Sequence, residues 1–171
     1  MNYGMIKEYD IADGPGVRVS LFVSGCRHHC KGCFQPETWD FSYGQEYTQQ
    51  TQEKILQLLS PSYIEGLTLL GGEPFEPENQ AALHALVKEV KARFPQKNIW
   101  CYTGYLYDVD LIPGGKVYTA DTDGMLSCID VLVDGEFIQS QKDLSLVFRG
   151  SRNQRVIRLA DGALLYQQEK K

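Results

Sequence analysis

Three of the chain's five cysteines fall within eight positions, in the run Cys26-Arg27-His28-His29-Cys30-Lys31-Gly32-Cys33-Phe34. Thiolates separated by gaps of three and two residues can wrap a compact metal centre. An odd cysteine count argues against a disulfide framework, and so does a start, Met1-Asn2-Tyr3-Gly4, without the charged-then-apolar layout of an export signal. Two metal chemistries suit the triplet. A structural zinc site would add His28 or His29 as the fourth ligand. An iron–sulfur cluster would take the three thiolates and either leave one iron open or borrow Cys101 or Cys128. By itself the triplet leaves zinc and iron–sulfur evenly matched.

The cysteine loop needs elements to hold it. Val17 to Val23 has strand character and runs directly into the loop. Tyr47 to Leu59 reads as a helix ended by Pro61. Gly66-Leu-Thr-Leu-Leu70 reads as a buried strand with Gly71-Gly72 as its exit turn. Pro77 to Phe94 is the clearest helix: Leu83, Leu86, Val87, Val90 and Phe94 share one face, and Pro95 stops it. His84 lies off that face and is expected in solvent. Asn98 to Thr103 and Ile129 to Val133 are further strands, and Asp161-Gly162 joins Val156–Leu159 to Ala163–Tyr166 as a hairpin. Alternating strands and helices predict a mostly parallel sheet, with ligands outside the carboxyl ends of its strands. The cysteine loop, Gly71-Gly72-Glu73-Pro74 and Thr103-Gly104 each follow a strand, so all three gather on one edge.

The composition, 43% hydrophobic, can close one domain over residues 1–171. No apolar run approaches the roughly 18–20 residues that span a bilayer, so a membrane role is not expected and the cytoplasm is. The net charge of −5 argues against nucleic acid as a partner. From about Arg149 onward the chain is basic, with six cationic and two acidic residues. Arg149, Arg152 and Arg155 are therefore candidates for docking a partner, against the plainer reading of a solvated face.

The spacing Cys-x3-Cys-x2-Cys followed by Phe34, together with Gly71-Gly72-Glu73-Pro74, resembles the radical S-adenosylmethionine superfamily. A narrower resemblance is carried by Asp13-Gly-Pro-Gly16, Trp39, Trp100-Cys-Tyr-Thr-Gly-Tyr105, Asp130-Val-Leu-Val-Asp-Gly-Glu-Phe137 and Arg149-Gly-Ser-Arg-Asn-Gln-Arg155. Together these resemble the family of anaerobic ribonucleoside-triphosphate reductase activating proteins. Pyruvate formate-lyase activases share the early motifs but are longer and lack the last one. The resemblance implies an α/β fold, an abbreviated and incomplete (β/α) barrel with a mostly parallel sheet.

The resemblance also implies a [4Fe-4S] cluster on Cys26, Cys30 and Cys33, with S-adenosylmethionine chelating the open iron. Gly32, Cys33 and Phe34 would line the cofactor. Gly71 and Gly72 would let the backbone approach its amino acid part, and Glu73 would accept from its ammonium group. Thr103 and Asp134 are further cofactor candidates. No side chain is expected as a general acid or base, because the cofactor carries the radical chemistry. The implied product is a glycyl radical on anaerobic ribonucleoside-triphosphate reductase, with a flavodoxin or ferredoxin as electron donor. Asp13-Gly-Pro-Gly16 reads first as a tight turn, and Cys101 and Cys128 as core thiols. The competing functions are a radical enzyme acting on a small molecule, an activase of another glycyl-radical enzyme, and a metal-stabilised binding module without catalysis.

Overall fold

The computed structural model describes residues 1–167. Eight strands form one sheet in the order β3-β1-β2-β4-β5-β6-β7-β8. These are β1 (Asn2–Asp10), β2 (Val17–Val23), β3 (Gln45–Glu46), β4 (Ile64–Gly71), β5 (Asn98–Tyr102), β6 (Val131–Asp134), β7 (Arg155–Arg158) and β8 (Ala163–Leu165). The central four, β2, β4, β5 and β6, are parallel neighbours. Three helices make their crossovers: α1 (Gln49–Leu59), α2 (Pro77–Arg93) and α3 (Thr122–Cys128). Antiparallel strands flank this core, β1 and β3 on one side and the β7–β8 hairpin on the other.

The sheet is open. β3 and β8 are the two ends of the strand order and do not pair with each other. Three crossover units lay down only four parallel strands, whereas a closed barrel of this kind uses eight. After β6 the chain turns back as a hairpin instead of making another crossover.

Strand alternation divides the sheet into two chemically distinct faces. Val19, Leu21 and Val23 of β2, Leu67 and Leu69 of β4, Ile99 and Cys101 of β5 and Leu132 of β6 point to the helices. There they meet Ile55, Leu56 and Leu59 of α1, Leu83, Leu86, Val87 and Val90 of α2, and Met125 of α3. Each such aliphatic side chain contributes about 1.5–3 kcal/mol on burial. A capping box of Thr48 and Thr51 starts α1, and Pro77 starts α2. His84 is half-buried rather than solvated: its Nδ1 lies 2.8 Å from Asp121 Oδ1, tying α2 to the start of α3.

The opposite face is polar near its centre. Arg18 is fully buried, its Nε donating to Thr68 Oγ1 at 2.7 Å and its Nη2 to the Leu67 carbonyl at 2.9 Å. Ser20 donates to Asp10 Oδ2 at 2.7 Å. Trp100, Val131, Val133 and Val156 form a smaller apolar cluster beside these groups.

Candidate cofactor site

The loops leaving β2, β4, β5 and β6 surround a cavity of about 680 Å3, within the range of small-molecule and cofactor sites. Cys26, Cys30, Cys33, Phe34, Gly71, Gly72, Glu73 and Thr103 all line it. The three segments expected to gather on one sheet edge do so. Gly32 and Asp134 are not among the cavity-lining residues. Gly32 makes the turn between Cys30 and Cys33 at φ +79°, beside the Gln139 side chain. Asp134 is fully buried at the end of β6, where it accepts from the Tyr107 amide at 2.9 Å and pairs with Arg155 at 2.5 Å.

The cysteine loop leaves β2 and is tied at its start to the segment that follows it by backbone bonds, Gly25 N to the Thr38 carbonyl at 2.8 Å and Cys26 N to the Trp39 carbonyl at 3.2 Å. A short 3-10 turn over Pro36–Trp39 supplies those carbonyls. Amide donors face the sulfurs: Gln35 N donates to Cys33 Sγ at 3.4 Å, and the backbones of His28 and His29 bond Cys26. Burial, reinforced by the charge on Glu73, pushes the Cys26 thiol up to about 12. Burial likewise raises Cys30. Free thiolates are thus disfavoured here, and a metal's positive charge is what would stabilise them.

The histidines do not complete a zinc site. His28 has Nε2 3.0 Å from Glu73 Oε2 and Nδ1 2.8 Å from Glu136 Oε1, so both ring nitrogens are engaged by carboxylates. Burial lowers its pKa, but the two glutamates more than offset that and raise it. His29 stacks on Trp39, ring centroids 4.5 Å apart. Cys101 is buried in the helix-side core, and Cys128 packs against that core; neither lines the cavity. The donor set at the cavity is therefore three thiols without a fourth protein ligand among the described residues. Among the described residues no group of three such side chains is placed to hold a single metal ion, but thiols are the donor type that an iron–sulfur cluster takes.

The glycine motif has a packing role at the cavity edge. Gly71 has φ +107°, and a Cβ there would lie 2.6 Å from Val23 N. A Cβ on Gly72 would lie 2.7 Å from the Gly25 carbonyl oxygen and 2.8 Å from that of Thr38. These glycines make room for the protein's own backbone, bringing the β4 exit against the cysteine loop. Gly72 N donates to the Val23 carbonyl at 2.7 Å and Glu73 N to the Gly25 carbonyl at 2.8 Å.

Glu73 is likewise committed to the protein. Its Oε1 accepts from Phe75 N at 2.9 Å and Thr103 Oγ1 at 2.7 Å, and its Oε2 from Gly104 N at 2.8 Å and His28. Four partners use the carboxylate's acceptor positions, which leaves none for an ammonium group. Thr103 spends its hydroxyl proton on Glu73 and accepts from Tyr105 N at 3.1 Å.

The cavity wall includes residues beyond the candidates named from the sequence, with Phe137 of the Asp130–Phe137 motif among them. Lys7, Phe137, Lys142, Leu144, Leu146 and Phe148 contribute to the wall. Lys142 Nζ lies 5.3 Å from the Phe34 ring centroid. Asp13 also lines the cavity, while Gly14 and Gly16 at positive φ make the expected turn. Burial and its neighbour Asp10 raise Asp13 to about 7. For Asp10, burial opposes ionisation, but hydrogen bonds from Asp13, Ser20 and the Ala12 amide outweigh it and hold the group at about 2.

The arginines of the basic segment are engaged to different degrees, and Arg149 lines the cavity. Arg155 is clamped by Asp134 and Asp108. Arg152 pairs with Asp143 at 3.2 Å, and Arg149 Nη1 donates to the Gln154 carbonyl at 2.5 Å. Lys170 and Lys171 lie outside the described residues.

Comparison with known proteins decides between the metal chemistries. Residues 12–157 match the family model described as a 4Fe-4S single cluster domain. An anaerobic ribonucleoside-triphosphate reductase-activating protein of Vibrio cholerae is 45% identical over 157 residues, covering 90% of this chain and 96% of the relative. The chain belongs to the family of anaerobic ribonucleoside-triphosphate reductase-activating proteins. The family member of Enterobacteria phage T4 is 42% identical over 163 residues, covering 95% and 97%. That of Escherichia coli K12 is 40% identical over 156 residues, covering 90% and 96%. The matched span includes the cysteine loop, the glycine motif and Thr103. Among the described residues no helix is long and apolar enough to cross a membrane.

Proposed function

We propose that this chain carries a [4Fe-4S] cluster on Cys26, Cys30 and Cys33, binds S-adenosylmethionine beside it, and generates a glycyl radical on anaerobic ribonucleoside-triphosphate reductase. One observation carries the reading. Three thiols and the Gly71–Gly72 turn face a single cavity, in a chain 40–45% identical to named activating proteins over about nine-tenths of its length. When bound, the cluster and S-adenosylmethionine would together supply one-electron reductive cleavage of the sulfonium and the removal of a hydrogen atom from a glycine Cα.

The protein's own part is to hold, orient and shield. Amide donors to Cys26 and Cys33 support the sulfurs' negative charge and tune the cluster they hold. Phe34 stands 70% exposed at the cavity, a flat apolar surface for the adenine ring. Gly71 and Gly72 set the backbone that receives the amino acid part. Glu73 contributes by fixing that loop, and Thr103 acts through Glu73. Asp134 and Gly32 serve the loops behind the site. Asp13, uncharged over much of the acid range, presents a neutral carboxyl to the cavity wall.

The remaining assignments follow from the same reading. The chain acts as a single domain, an abbreviated relative of the radical-enzyme barrel left open at β3 and β8. It works in the cytoplasm and takes its electron from a flavodoxin or ferredoxin. The test is anaerobic reconstitution with iron and sulfide, then reduction with S-adenosylmethionine and the reductase. Formation of 5′-deoxyadenosine and of a glycyl radical on the reductase supports the proposal. Turnover of a small molecule without a glycyl radical would replace it.

A further inference from the structure

One imidazole joins loops from all four parallel strands. His28 belongs to the loop after β2, between two of the thiols. Its Nε2 meets Glu73, after β4, at 3.0 Å, and its Nδ1 meets Glu136, after β6, at 2.8 Å. Glu73 extends the bridge to the loop after β5 by accepting from the Thr103 hydroxyl and the Gly104 amide. The His28 side chain is only 6% exposed, and its ring lies 4.3 Å from that of Tyr105. Gly104 leaves space for it: a Cβ there would sit 2.6 Å from His28 Nε2. The neighbouring Arg27 amide donates to Glu76 Oε1 at 2.8 Å, a second clamp from the segment after β4.

The stretch from Arg27 to Gln35 contains no helix or strand. Beyond its backbone anchor at Cys26, it is held against the other loops by these side-chain clamps, by the Phe137 backbone bonding Cys30, by the Arg27 guanidinium on Glu76 and Glu78, and by ring contacts of His29 with Trp39 and Phe34 with Phe137. Of these, the His28 bridge alone reaches the loops after β4 and β6 through one side chain. Holding a cluster requires only the three thiols of one loop. Chelating a ligand that also rests on the glycine motif requires two loops at a fixed separation. A misplacement of about 1 Å at such a site can cost about 100-fold in rate.

We propose that His28 is a positioning residue: the Glu136–His28–Glu73 bridge sets the register between the cluster-bearing thiols and the loops that receive S-adenosylmethionine. The inference rests on the cofactor assignment made under the proposed function. It predicts a separation of two properties that a general folding role would lose together.

The experiment compares wild type, His28→Ala, His28→Gln, Glu136→Ala and Glu136→Gln after anaerobic reconstitution. Iron content, the S-adenosylmethionine dissociation constant and the cofactor-induced change in the electron paramagnetic resonance spectrum are measured without the reductase. Expected are a full iron complement throughout and a dissociation constant raised at least about tenfold in His28→Ala, with the spectral change diminished. His28→Gln, which keeps a donor for Glu73, should recover part of the affinity. Glu136→Gln should stay near wild type, and Glu136→Ala should fall between. Because Glu136 is exposed, its variants test the bridge even if His28→Ala folds poorly. Amide hydrogen exchange in the cluster-free protein gives an independent reading: residues 27–34 should exchange faster in His28→Ala while the central strands are unchanged.

Wild-type affinity and spectrum in both His28→Ala and Glu136→Ala would overturn the proposal. So would loss of iron in step with loss of cofactor binding. If wild type itself binds no S-adenosylmethionine, the cofactor assignment fails, and unchanged exchange over residues 27–34 in His28→Ala would then refute the bridge on its own.

Discussion

Replacing Gly72 by alanine perturbs the joint between the two central loops. The new Cβ would lie 2.7 Å from the Gly25 carbonyl oxygen, 2.8 Å from the Thr38 carbonyl oxygen and 3.1 Å from the Gly25 carbonyl carbon. All three are backbone atoms, so no side chain can swing away to relieve the contact. The Gly25 carbonyl also accepts from Glu73 N, and Gly25 N donates to the Thr38 carbonyl, both at 2.8 Å. Moving Gly25 strains both bonds and displaces Cys26, the next residue. Overpacking costs about 1–3 kcal/mol and each weakened hydrogen bond about 1 kcal/mol, giving about 3–5 kcal/mol in all. For a chain of this size that is a fall of roughly 6–20 °C in Tm. Thermal and denaturant unfolding of the cluster-free protein, with iron content after reconstitution, checks it. Gly114→Ala is the control: φ is +82° but nothing lies within 4 Å of its Cβ, so only the conformational cost of about 1–2 kcal/mol applies. Native stability and full iron loading in Gly72→Ala would refute the packing argument. They would leave the glycine free for the ligand instead.

Alanine at Cys26, Cys30 or Cys33 should abolish the cluster, read as loss of iron and of visible absorbance, whereas Cys101→Ala and Cys128→Ala should keep it. Arg155→Ala leaves the buried Asp134 carboxylate with only the Tyr107 amide among its described partners. It should therefore destabilise the fold by about 3–5 kcal/mol in denaturant titration. The same variant tests the basic segment, because a docking role alone would lower glycyl-radical yield without changing stability. For pH, Asp13 is raised to about 7 from an ordinary value of 3.8. The unfolded chain releases that proton first, so this group's contribution to stability falls as pH rises from about 4 to 7. Asp13→Asn should flatten the slope in that window. Asp10 acts oppositely: lowered to about 2, its contribution is present above pH 4 and lost as pH falls towards 2.

The cysteine triplet was legible because its chemistry lies within one loop, and spacing along the chain is spacing in space. The central strands and α2 were legible from apolar runs and from one helical face. β1 was missed because Asn2–Asp10 is largely polar and half-exposed, without a clean alternation, and gains its place by pairing with β2 and β3. α3 was missed because seven residues without a capping side chain carry little periodic signal. Arg18 sits at an alternating position that reads as solvent-facing, yet Thr68, 50 residues away, and the Leu67 carbonyl hold it inside. The hydrogen bonding of Glu73 is not legible along the chain, because its four donors come from three separate loops. Asp134 ends a strand on the cofactor edge, where it can face the site or start a turn. Arg155, 21 residues further on, takes it instead. Local chemistry was readable; the long-range pairing of polar groups was not.

Radical transfer is read directly in an assay that mixes the reconstituted, reduced protein anaerobically with S-adenosylmethionine and anaerobic ribonucleoside-triphosphate reductase. It counts 5′-deoxyadenosine by chromatography and glycyl radical by electron paramagnetic resonance in the same sample. Both should appear together, with the radical on the reductase, and both should vanish when Cys30 is replaced by alanine. A reductase that acquires its radical equally well from the Cys30→Ala protein, or 5′-deoxyadenosine formed at the full rate with no radical on the reductase, would contradict the proposed function.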